Sequence, residues 1–403
     1  MKPGLQRLLN DGGAKRVLNA LGAGPDVARF VGGAVRDALL DRPLHDIDIA
    51  TSRLPEETLA LLGAAKIKAV PTGLKHGTIT AVVNGRGIEV TTLRLDMATD
   101  GRHAEVAFTE DWRADASRRD FTMNALSLDR SGDVHDYFGG RDDLTARRVR
   151  FVGDADTRVR EDYLRILRFF RFFAWYGKGV PDEAALAACA SGREGLQRLS
   201  AERIRVEMLK LLSAPRPVLA IQAMADVGVL AELLGKAASP SGLAKLLPIE
   251  LEADPLLRLA ALSPGYKDHM LSVAECLRLS NAERRRLTDL ASPMDDLNAE
   301  PAIALHRLGK DLYRQRVLLA AATEGTSFEE RMGVADAWTP KTFPVAGRDL
   351  LALGIPKGPG VGELLSALES WWIAGGFRAQ KADILAEAKA RIGRPAAAKR
   401  DNQ

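Results

Sequence analysis

The chain of 403 residues has little cysteine, few aromatic side chains and no long apolar run. Its two cysteines, Cys189 and Cys276, lie far apart without a C-x-x-C pair, so neither a disulfide framework nor a cysteine zinc site is indicated, and a reducing compartment is expected. No stretch approaches the ~18–20 apolar residues of a membrane helix. The N-terminal sequence MKPGLQRLLNDGGAKR lacks the apolar core of a signal peptide, so we expect a cytoplasmic protein with no membrane association.

Charge and length set only broad limits. The 57 Lys and Arg residues exceed the 53 Asp and Glu residues slightly, which leaves a net charge of +4. This weakly basic balance is compatible with a nucleic-acid partner but does not by itself indicate one. The length allows two or more domains and a substantial core.

A glycine pair precedes two alternating carboxylates in RFVGGAVRDALLDRPLHDIDIAT, residues 29–51. The apolar pair before Gly32 and Gly33 and the AVRDALL that follows predict a strand, a tight turn and the start of a helix. Glycine lets the backbone approach a phosphate closely, and a helix start offers free N–H donors, to which Arg36 adds its guanidinium. The segment has neither the ending of a P-loop nor the third glycine of a dinucleotide motif. It predicts a triphosphate-binding turn, and the alternative is a purely structural turn.

The strand predicted over residues 45–50 places Asp46 and Asp48 on one face and the intervening isoleucines on the other. Neighbouring carboxylates repel each other and raise each other's pKa, unless a cation lies between them. Their oxygens suit Mg²⁺, which completes its shell with water and substrate phosphates. The alternative is an exposed edge strand with two solvated aspartates.

Residues 77–94 predict a β-hairpin, because two β-branched runs flank the turn dipeptide Asn84-Gly85. Glu89 alternates with the apolar residues on either side of it and is therefore a candidate third carboxylate, although alone it is as typical of a solvated strand position. The polar and poorly periodic residues 96–117 predict a long mobile loop.

Two arginines and an aspartate stand side by side in RRDFTMN, residues 118–124. The arginines are candidates for binding phosphates, and Asp120 or Asn124 for binding a ribose hydroxyl. The alternative is an ion-pair cluster at the start of a helix, and the residues alone do not decide between the two.

From Glu161 onward the apolar periodicity is mostly helical. In EDYLRILRFFR, residues 161–171, polar side chains recur every three positions and predict a polar ridge along one otherwise apolar helix. Salt bridges on a solvated face are the alternative, which the apolar surroundings disfavour. The ridge consists of Asp162, Arg165, Arg168 and Arg171.

In order and spacing, VGGAVRD…HDIDIAT, RRDFTMNAL and EDYLRILR resemble the successive motifs of the class II tRNA nucleotidyltransferase and poly(A) polymerase family, and are most like those of bacterial CCA-adding enzymes. LSAERIRVEMLKLLSAPRP, residues 199–217, resembles the RNA-binding segment of the family, and residues 347–365 resemble its C-terminal tail. No H-D phosphohydrolase pattern is appended.

The resemblance implies an α/β (α+β) fold, in which a nucleotidyltransferase head with a mixed β-sheet precedes a mostly α-helical neck, body and tail. The expected bounds are 1–152 for the head, 153–213 for the neck that selects nucleotides and binds RNA, 214–300 for the body, 301–395 for the tRNA-binding tail, and 396–403 for a disordered end.

The resemblance also implies site residues and ligands. Asp46 and Asp48 match the metal ligands, and Glu89 matches the third catalytic carboxylate. The implied cofactor is Mg²⁺, and the implied partners are CTP, ATP and the 3′ end and acceptor arm of tRNA, while the oligomeric state is left unknown. The matching nucleotide-binding positions are Gly32, Gly33, Arg36 and Arg119 at the phosphates, Asp120 at the ribose, and Asp162, Arg165, Arg168 and Arg171 on the nucleotide-selecting helix.

Base selection also follows from elementary chemistry. Cytosine and adenine each present an amino donor beside a ring-nitrogen acceptor, whereas uracil and guanine present the reverse pattern. One acceptor, Asp162, and one donor, Arg165, therefore accept C and A. They leave polar groups unpaired against U and G, at a cost of about 1–3 kcal/mol per group.

The sequence thus predicts CCA addition to tRNA 3′ ends from CTP and ATP, with release of pyrophosphate and with protein side chains as the template. Alternatives with the same head chemistry are a poly(A) polymerase and an enzyme that adds only CC or only A. A binding protein with an inactive head is disfavoured by the intact Asp46 and Asp48. A nucleotidyltransferase for small molecules leaves the long helical half, with basic stretches such as residues 283–287, without a role.

Overall fold

The computed structural model describes residues 1–22, 24–99, 104–263, 267–291, 300–325 and 327–392. Contacts divide the chain into two compact units. The first comprises Met1–Pro240, Ala253–Pro255 and Val273–Leu279, and the second comprises Ser241–Glu252, Leu256–Ser272 and Ser280–Gln403. The finer division into neck, body and tail stays a prediction, and the expected disordered end, 396–403, lies outside the described residues.

A seven-stranded sheet in the first unit has the order β3-β4-β5-β2-β1-β8-β9. Strands β2 and β5 run parallel and the other neighbours antiparallel, which confirms the predicted mixed sheet. Strands β6 and β7 form a separate antiparallel pair. The strands are β1 (Ala28–Val31), β2 (Asp48–Thr51), β3 (Lys68–Gly73), β4 (Thr78–Val83), β5 (Arg86–Thr92), β6 (Arg94–Thr99), β7 (Ala104–Phe108), β8 (Ser127–Leu128) and β9 (Val134–His135).

Helices α2, α3 and α4 pack against the large sheet through their buried apolar sides. The helices that accompany the strands are α1 (Pro3–Leu9), α2 (Gly12–Leu21), α3 (Gly33–Leu39), α4 (Pro55–Ala64), α5 (Trp112–Ser117) and α6 (Gly140–Thr145), with short 3₁₀ helices at Leu74–His76 and Thr122–Asn124.

The chain from residue 155 onward is mostly helical, as predicted. Its first helices are α7 (Ala155–Glu161), α8 (Leu164–Tyr176), α9 (Glu183–Gly192), α10 (Ala201–Leu212), α11 (Pro217–Asp226) and α12 (Val229–Leu234), with a 3₁₀ helix at Arg193–Arg198. Those that follow are Pro240–Leu246, Pro255–Ala261, Lys267–Cys276, Asn281–Leu290, Pro301–Leu308, Lys310–Glu324, Glu329–Ala337, Gly347–Leu351, Pro359–Ala374 and Lys381–Ile392. None of the helices in the described ranges has the length and apolar character needed to cross a bilayer.

An aromatic cluster fastens α8 to the segments that carry the second motif. The ring of Phe121 lies 5.0 Å from that of Phe151 and 4.9 Å from that of Phe172, measured between centroids. Phe169 completes the cluster, and Phe121, Phe151 and Phe169 are almost completely buried. Burying such rings stabilises the contact by several kcal/mol in aggregate, at roughly 1.5–3 kcal/mol per side chain. The cluster therefore sets the position of α8 relative to the second motif.

The hairpin predicted over residues 77–94 is confirmed. Strands β4 and β5 pair in antiparallel register, and Asn84 and Gly85 between them have φ of 52° and 77°. Positive φ at both central residues is the requirement of the turn that best matches the strand twist.

The prediction of a long mobile loop over residues 96–117 is wrong. Outside the undescribed residues 100–103, this stretch forms most of β6, all of β7 and helix α5. Backbone hydrogen bonds join β6 and β7, while Leu95 and Phe108 remain more than a third exposed. The sequence therefore lacks the apolar alternation that would predict this hairpin. Helix α5 begins at an aspartate cap, since the Asp111 carboxylate accepts the amide of Arg113 at 2.8 Å.

Two further predictions of local structure need correction. Strand β2 begins only at Asp48, so Asp46 lies just before the strand. The single helix predicted over residues 161–171 is interrupted, because α7 ends at Glu161 and Asp162 has an extended backbone with φ −154° and ψ 106°. The Asp162 carboxylate accepts the backbone N–H of Leu164 at 3.1 Å, a local bond that competes with helix continuation.

Candidate active site

A cavity of about 420 Å³ in the first unit lies where the three motif segments meet. These segments are far apart in sequence, and the sheet, the Thr122–Asn124 turn and α8 bring them together. The predicted residues that line the cavity are Gly32, Gly33, Arg36, Asp48, Arg119, Asp120, Asp162, Arg165 and Arg168.

The glycine turn has the predicted strand–turn–helix form, with β1 ending at Val31 and α3 beginning at Gly33. Gly32 has φ 67° and ψ −130°, a conformation that only glycine adopts without strain. A Cβ at this position would lie 2.9 Å from Nη1 of Arg119. Both the backbone conformation and the close approach of the arginine therefore require glycine at position 32.

Arg36 is a buried guanidinium that keeps donors available to the cavity. Its Nε and Nη2 donate to the Asp37 carboxylate at 3.0 and 2.8 Å, and its Nη1 donates to Asn124 Oδ1 at 2.7 Å. A guanidinium has five N–H donors, so two remain beyond these three bonds within the described residues. The residue is 7% exposed, and it lines the cavity.

The predicted carboxylates lie at one edge of the cavity. Asp48 is half-buried, and the parallel register of β2 and β5 places Glu89 directly beside it. Ile47 and Ile49 are buried while Asp46 is exposed, which agrees with the predicted alternation. Burial raises the pKa of Asp48, and the charges of Glu89 and Asp46 raise it further against an opposing effect of Arg119.

This arrangement fits a cation at Asp46 and Asp48, because positive charge there would offset both the burial of the Asp48 carboxylate and its repulsion by Glu89 and Asp46. The described residues do not contain three His, Cys, Asp or Glu side chains grouped closely enough to hold one metal ion. Glu89 is thus a neighbour of Asp48 in the sheet, and its catalytic role stays a prediction.

Asp120 is a buried acceptor at the centre of the second motif. Its Oδ1 accepts the Phe121 amide at 2.8 Å and Nδ2 of Asn124 at 2.9 Å, and its Oδ2 accepts Nε of Arg168 at 2.8 Å. Burial alone raises the pKa of Asp120, but the Arg168 guanidinium and these hydrogen bonds outweigh it and hold the pKa below its ordinary value. Asn124 therefore joins Arg36 to Asp120.

Asp162 and Arg165, the predicted base-selecting pair, both have protein partners in this structure. Asp162 Oδ2 accepts Nη2 of Arg203 at 2.7 Å. Arg165 Nη1 donates to Glu161 and to the carbonyl of Arg158, and its Nη2 donates to the carbonyl of Arg118 at 3.3 Å.

Both side chains nevertheless retain hydrogen-bonding capacity. A carboxylate has about four acceptor positions, and Asp162 uses two of them, for Leu164 and Arg203. Arg165 has five donors, and its three bonds to described residues leave Nε–H and one Nη2–H.

Three predicted residues lie outside the lining. Asp46 and Glu89 are exposed beside Asp48, and Arg171 donates to Glu207 of α10 at 2.6 Å. Arg168 also approaches Glu207, at 3.8 Å. The four residues of the polar ridge therefore form ion pairs with charged residues of other segments. A nucleotide-binding role for Arg171 stays a prediction.

The sequence indicates no nucleotide-binding role for three lining residues: Leu164, Phe172 and Arg203. Asn124 was named only as an alternative ribose ligand, and Arg203 only within the RNA-binding segment. Leu164 and Phe172 look like ordinary core positions of an apolar helix. The pairing of Arg203 with Asp162 joins positions 41 residues apart, so no local pattern indicates it.

Comparison with known proteins identifies the family of this chain. The family described as the poly A polymerase head domain matches residues 28–150, and the one described as the probable RNA and SrmB-binding site of polymerase A matches residues 181–239. Fold and site together define a nucleotidyltransferase with this type of head.

Individual relatives identify the family more specifically. The chain is 36% identical over 380 residues to CCA tRNA nucleotidyltransferase 1, mitochondrial, of Mus musculus, covering 90% of this chain and 86% of the relative. It is 31% identical over 354 residues to the CCA-adding enzyme of Lactobacillus johnsonii, covering 85% and 88%. The crystal structure of the Bacillus stearothermophilus CCA-adding enzyme in complex with CTP matches with a TM-score of 0.75 and 30% identity over 97% and 98% of the two chains. The chain belongs to the CCA tRNA nucleotidyltransferase family, as the motif resemblance predicted.

Proposed function

We propose that this protein adds C, C and A to the 3′ ends of tRNA from CTP and ATP, with release of pyrophosphate. The observation that carries the proposal is the single cavity in which a glycine turn, an aspartate of β2 and an acceptor–donor pair beside α8 meet. Its relatives are CCA-adding enzymes, and one of them has been crystallised with CTP.

The triphosphate would lie along the glycine turn. Gly32 allows close approach, and the two remaining donors of Arg36 point to a phosphate-binding role for this side chain. Arg119 lies against Gly32 and is the second candidate phosphate ligand.

Members of this enzyme family are generally metal-dependent, and we propose Mg²⁺ as the metal here, held by Asp46 and Asp48. When bound, the ion supplies positive charge beside the triphosphate and the 3′-hydroxyl. In the reaction, the 3′-hydroxyl gives up its proton to water, its oxygen bonds to the α-phosphorus of the nucleotide, and the bond from that phosphorus to the pyrophosphate breaks. No covalent intermediate with the protein is required.

Base choice is assigned to Asp162 and Arg165. The acceptor sites left on Asp162 match the amino group of C or A, and the remaining Nε–H and Nη2–H of Arg165 match the ring nitrogen. Arg203 holds Asp162 at 2.7 Å and so orients the acceptor of this template. Uracil and guanine present donor and acceptor in the wrong order for this pair.

We also propose the cytoplasm as the compartment, where CTP, ATP and tRNA are available. Both cysteines, Cys189 and Cys276, are free thiols, as expected of a protein from a reducing compartment.

A gel assay tests the function directly. Purified protein with Mg²⁺ and a tRNA transcript lacking its 3′ CCA is given CTP alone, ATP alone and both nucleotides. Addition of two C residues and then one A, followed by a stop, is the expected result. Long A tails would indicate a poly(A) polymerase, addition limited to CC or to A would indicate a partial enzyme, and no extension would refute nucleotidyl transfer to RNA. The matched inactive control is Asp48→Asn, which keeps the shape of the side chain.

A further inference from the structure

The last turn of α8 contacts the phosphate-binding end of the cavity. Helix α8 ends at Tyr176, whose ring centroid lies 4.2 Å from the guanidinium carbon of Arg36 and 4.5 Å from that of Arg42. Phe172, one turn earlier, stacks on Tyr176 with centroids 5.6 Å apart and lies 5.2 Å from the same carbon of Arg36. Two aromatic rings of α8 therefore lie against the arginine of α3.

Polar contacts complete this arrangement. The Asp37 carboxylate accepts two hydrogen bonds from Arg36, and the phenol of Tyr176 interacts with the same carboxylate. Burial raises the pKa of Tyr176, so the phenol stays neutral and presents an uncharged ring and a hydroxyl to this cluster. Arg42 donates to the carbonyl of Trp175 at 2.9 Å and ties the end of α8 to the chain that follows α3.

We propose that Tyr176 is a positioning residue that holds the Arg36 guanidinium in the orientation needed to bind the nucleotide triphosphate. The inference rests on the proposed function and deepens it, because it names a residue of this chain that acts on the phosphate subsite without touching the nucleotide.

Three contacts of different kinds restrict the orientation of the Arg36 guanidinium. Asp37 and Asn124 use three of its donors, and the Tyr176 ring covers the cation, which leaves the last two donors in a defined direction. Cation–π contacts of a partly desolvated guanidinium are energetically significant. Without the ring, Asp37 and Asn124 still hold Arg36, but one face of the guanidinium loses its packing contact.

The same helix carries the base-selecting donor at its other end. Arg165 and Tyr176 are 11 positions apart on α8, which corresponds to about 16 Å of helix. Loss of the Tyr176 ring should therefore weaken binding of the triphosphate and leave discrimination between bases unchanged. A general loosening of the site would affect both.

The test compares full-length Tyr176→Leu, Tyr176→Phe and wild-type protein by titration calorimetry with CTP, ATP and inorganic tripolyphosphate in Mg²⁺. We expect Tyr176→Leu to lower the affinity for all three ligands about fivefold, because the substitution removes the cation–π contact with Arg36. Tyr176→Phe keeps the ring and should restore most of the affinity. The preference of CTP over UTP in the extension assay should stay at the wild-type ratio in both variants.

Phe170→Leu is the matched control for stability. Phe170 is fully buried on the same helix and contacts Phe169, and it lies outside the cavity lining. The Phe170→Leu variant should have a lower melting temperature than wild type and an unchanged affinity for tripolyphosphate. If Tyr176→Leu does not fold, Tyr176→Met fills similar space without an aromatic face and serves for the same comparison.

The outcomes separate this inference from the proposed function. If wild-type protein extends tRNA but Tyr176→Leu binds the ligands with unchanged affinity, the role of Tyr176 is refuted and the proposed function stands. Wild-type protein that does not extend tRNA, while Tyr176→Leu still weakens tripolyphosphate binding, would overturn the proposed function and support the inference. An altered ratio of CTP to UTP use in Tyr176→Leu would also overturn the inference about Tyr176, because the effect of the substitution would not be confined to binding of the phosphates.

Discussion

Replacing Gly32 with alanine tests the geometry of the phosphate-binding turn most directly. The residue has φ 67° and ψ −130°, outside the regions that an L side chain adopts without strain. An added Cβ would also lie 2.9 Å from Nη1 of Arg119. One methyl group therefore perturbs the backbone and the candidate phosphate ligand together.

The two effects differ in size and in readout. The backbone conformation should cost about 1–3 kcal/mol of folding free energy. This corresponds to a fall in melting temperature of about 2–4 °C per kcal/mol for a folding unit of this size. Moving Arg119 is cheap for stability, because the contact is with the far end of a flexible side chain. It should, however, raise KM for CTP and ATP about tenfold, the expected loss of one charge-assisted hydrogen bond.

Thermal unfolding and steady-state extension of a tRNA lacking CCA measure the two effects separately. The matched control is Gly63→Ala in α4, where an added Cβ meets nothing within 4 Å. This control should stabilise the protein by about 0.5–1 kcal/mol, because glycine within a helix is unfavourable. Gly32→Ala with wild-type melting temperature and wild-type KM would refute the account of the turn.

The other predictions concern the carboxylates and the template. Asp46→Ala should abolish nucleotide incorporation and leave tRNA binding by gel shift within about twofold of wild type; retained turnover would contradict the metal assignment. The pKa of Asp48 is raised in the folded state, so its ionisation lowers the stability of the fold as the pH rises from the pKa of the unfolded state through that of the folded state. In the absence of metal, Asp48→Asn should therefore have a higher melting temperature than wild type at pH 7. Below the pKa of the unfolded state, the two proteins should not differ in this way. Arg165→Ala should relax the exclusion of UTP and GTP more than it weakens tRNA binding, which competition between nucleotides would measure. Arg203→Ala should cost about 1 kcal/mol of stability, as expected for a partly exposed pair, and should raise KM for CTP and ATP; an unchanged KM would show that Asp162 needs no support.

Local chemistry explains which elements could be predicted from the sequence. The Gly32-Gly33 turn, the Asn84-Gly85 hairpin and the alternation around Asp48 each depend on the backbone preference or face of a few adjacent residues. The family motifs indicated nine of the residues that line the cavity. In contrast, no local pattern indicates the β6–β7 hairpin, because its strands are joined by backbone pairing and Leu95 and Phe108 remain partly exposed.

The break in the helix at Asp162 shows a different limit. A spacing of three between charged residues favours a continuous helix, but a single carboxylate that caps the next helix ends the pattern. The partners of Arg168 and Arg171 also depend on packing, since Asp120 of the second motif and Glu207 of α10 reach α8 only in the folded protein.

The class of fold, the motif residues and the chemistry that they offer can be predicted from the sequence, because they depend on residue type and on local backbone preference. Which donors and acceptors remain available in the cavity depends instead on tertiary packing. Arg36 keeps two donors because Asp37 and Asn124 take three, and Asp162 faces Arg203, which comes from another helix. Such pairings join distant parts of the chain, and their geometry depends on how α8, α10 and the sheet pack together.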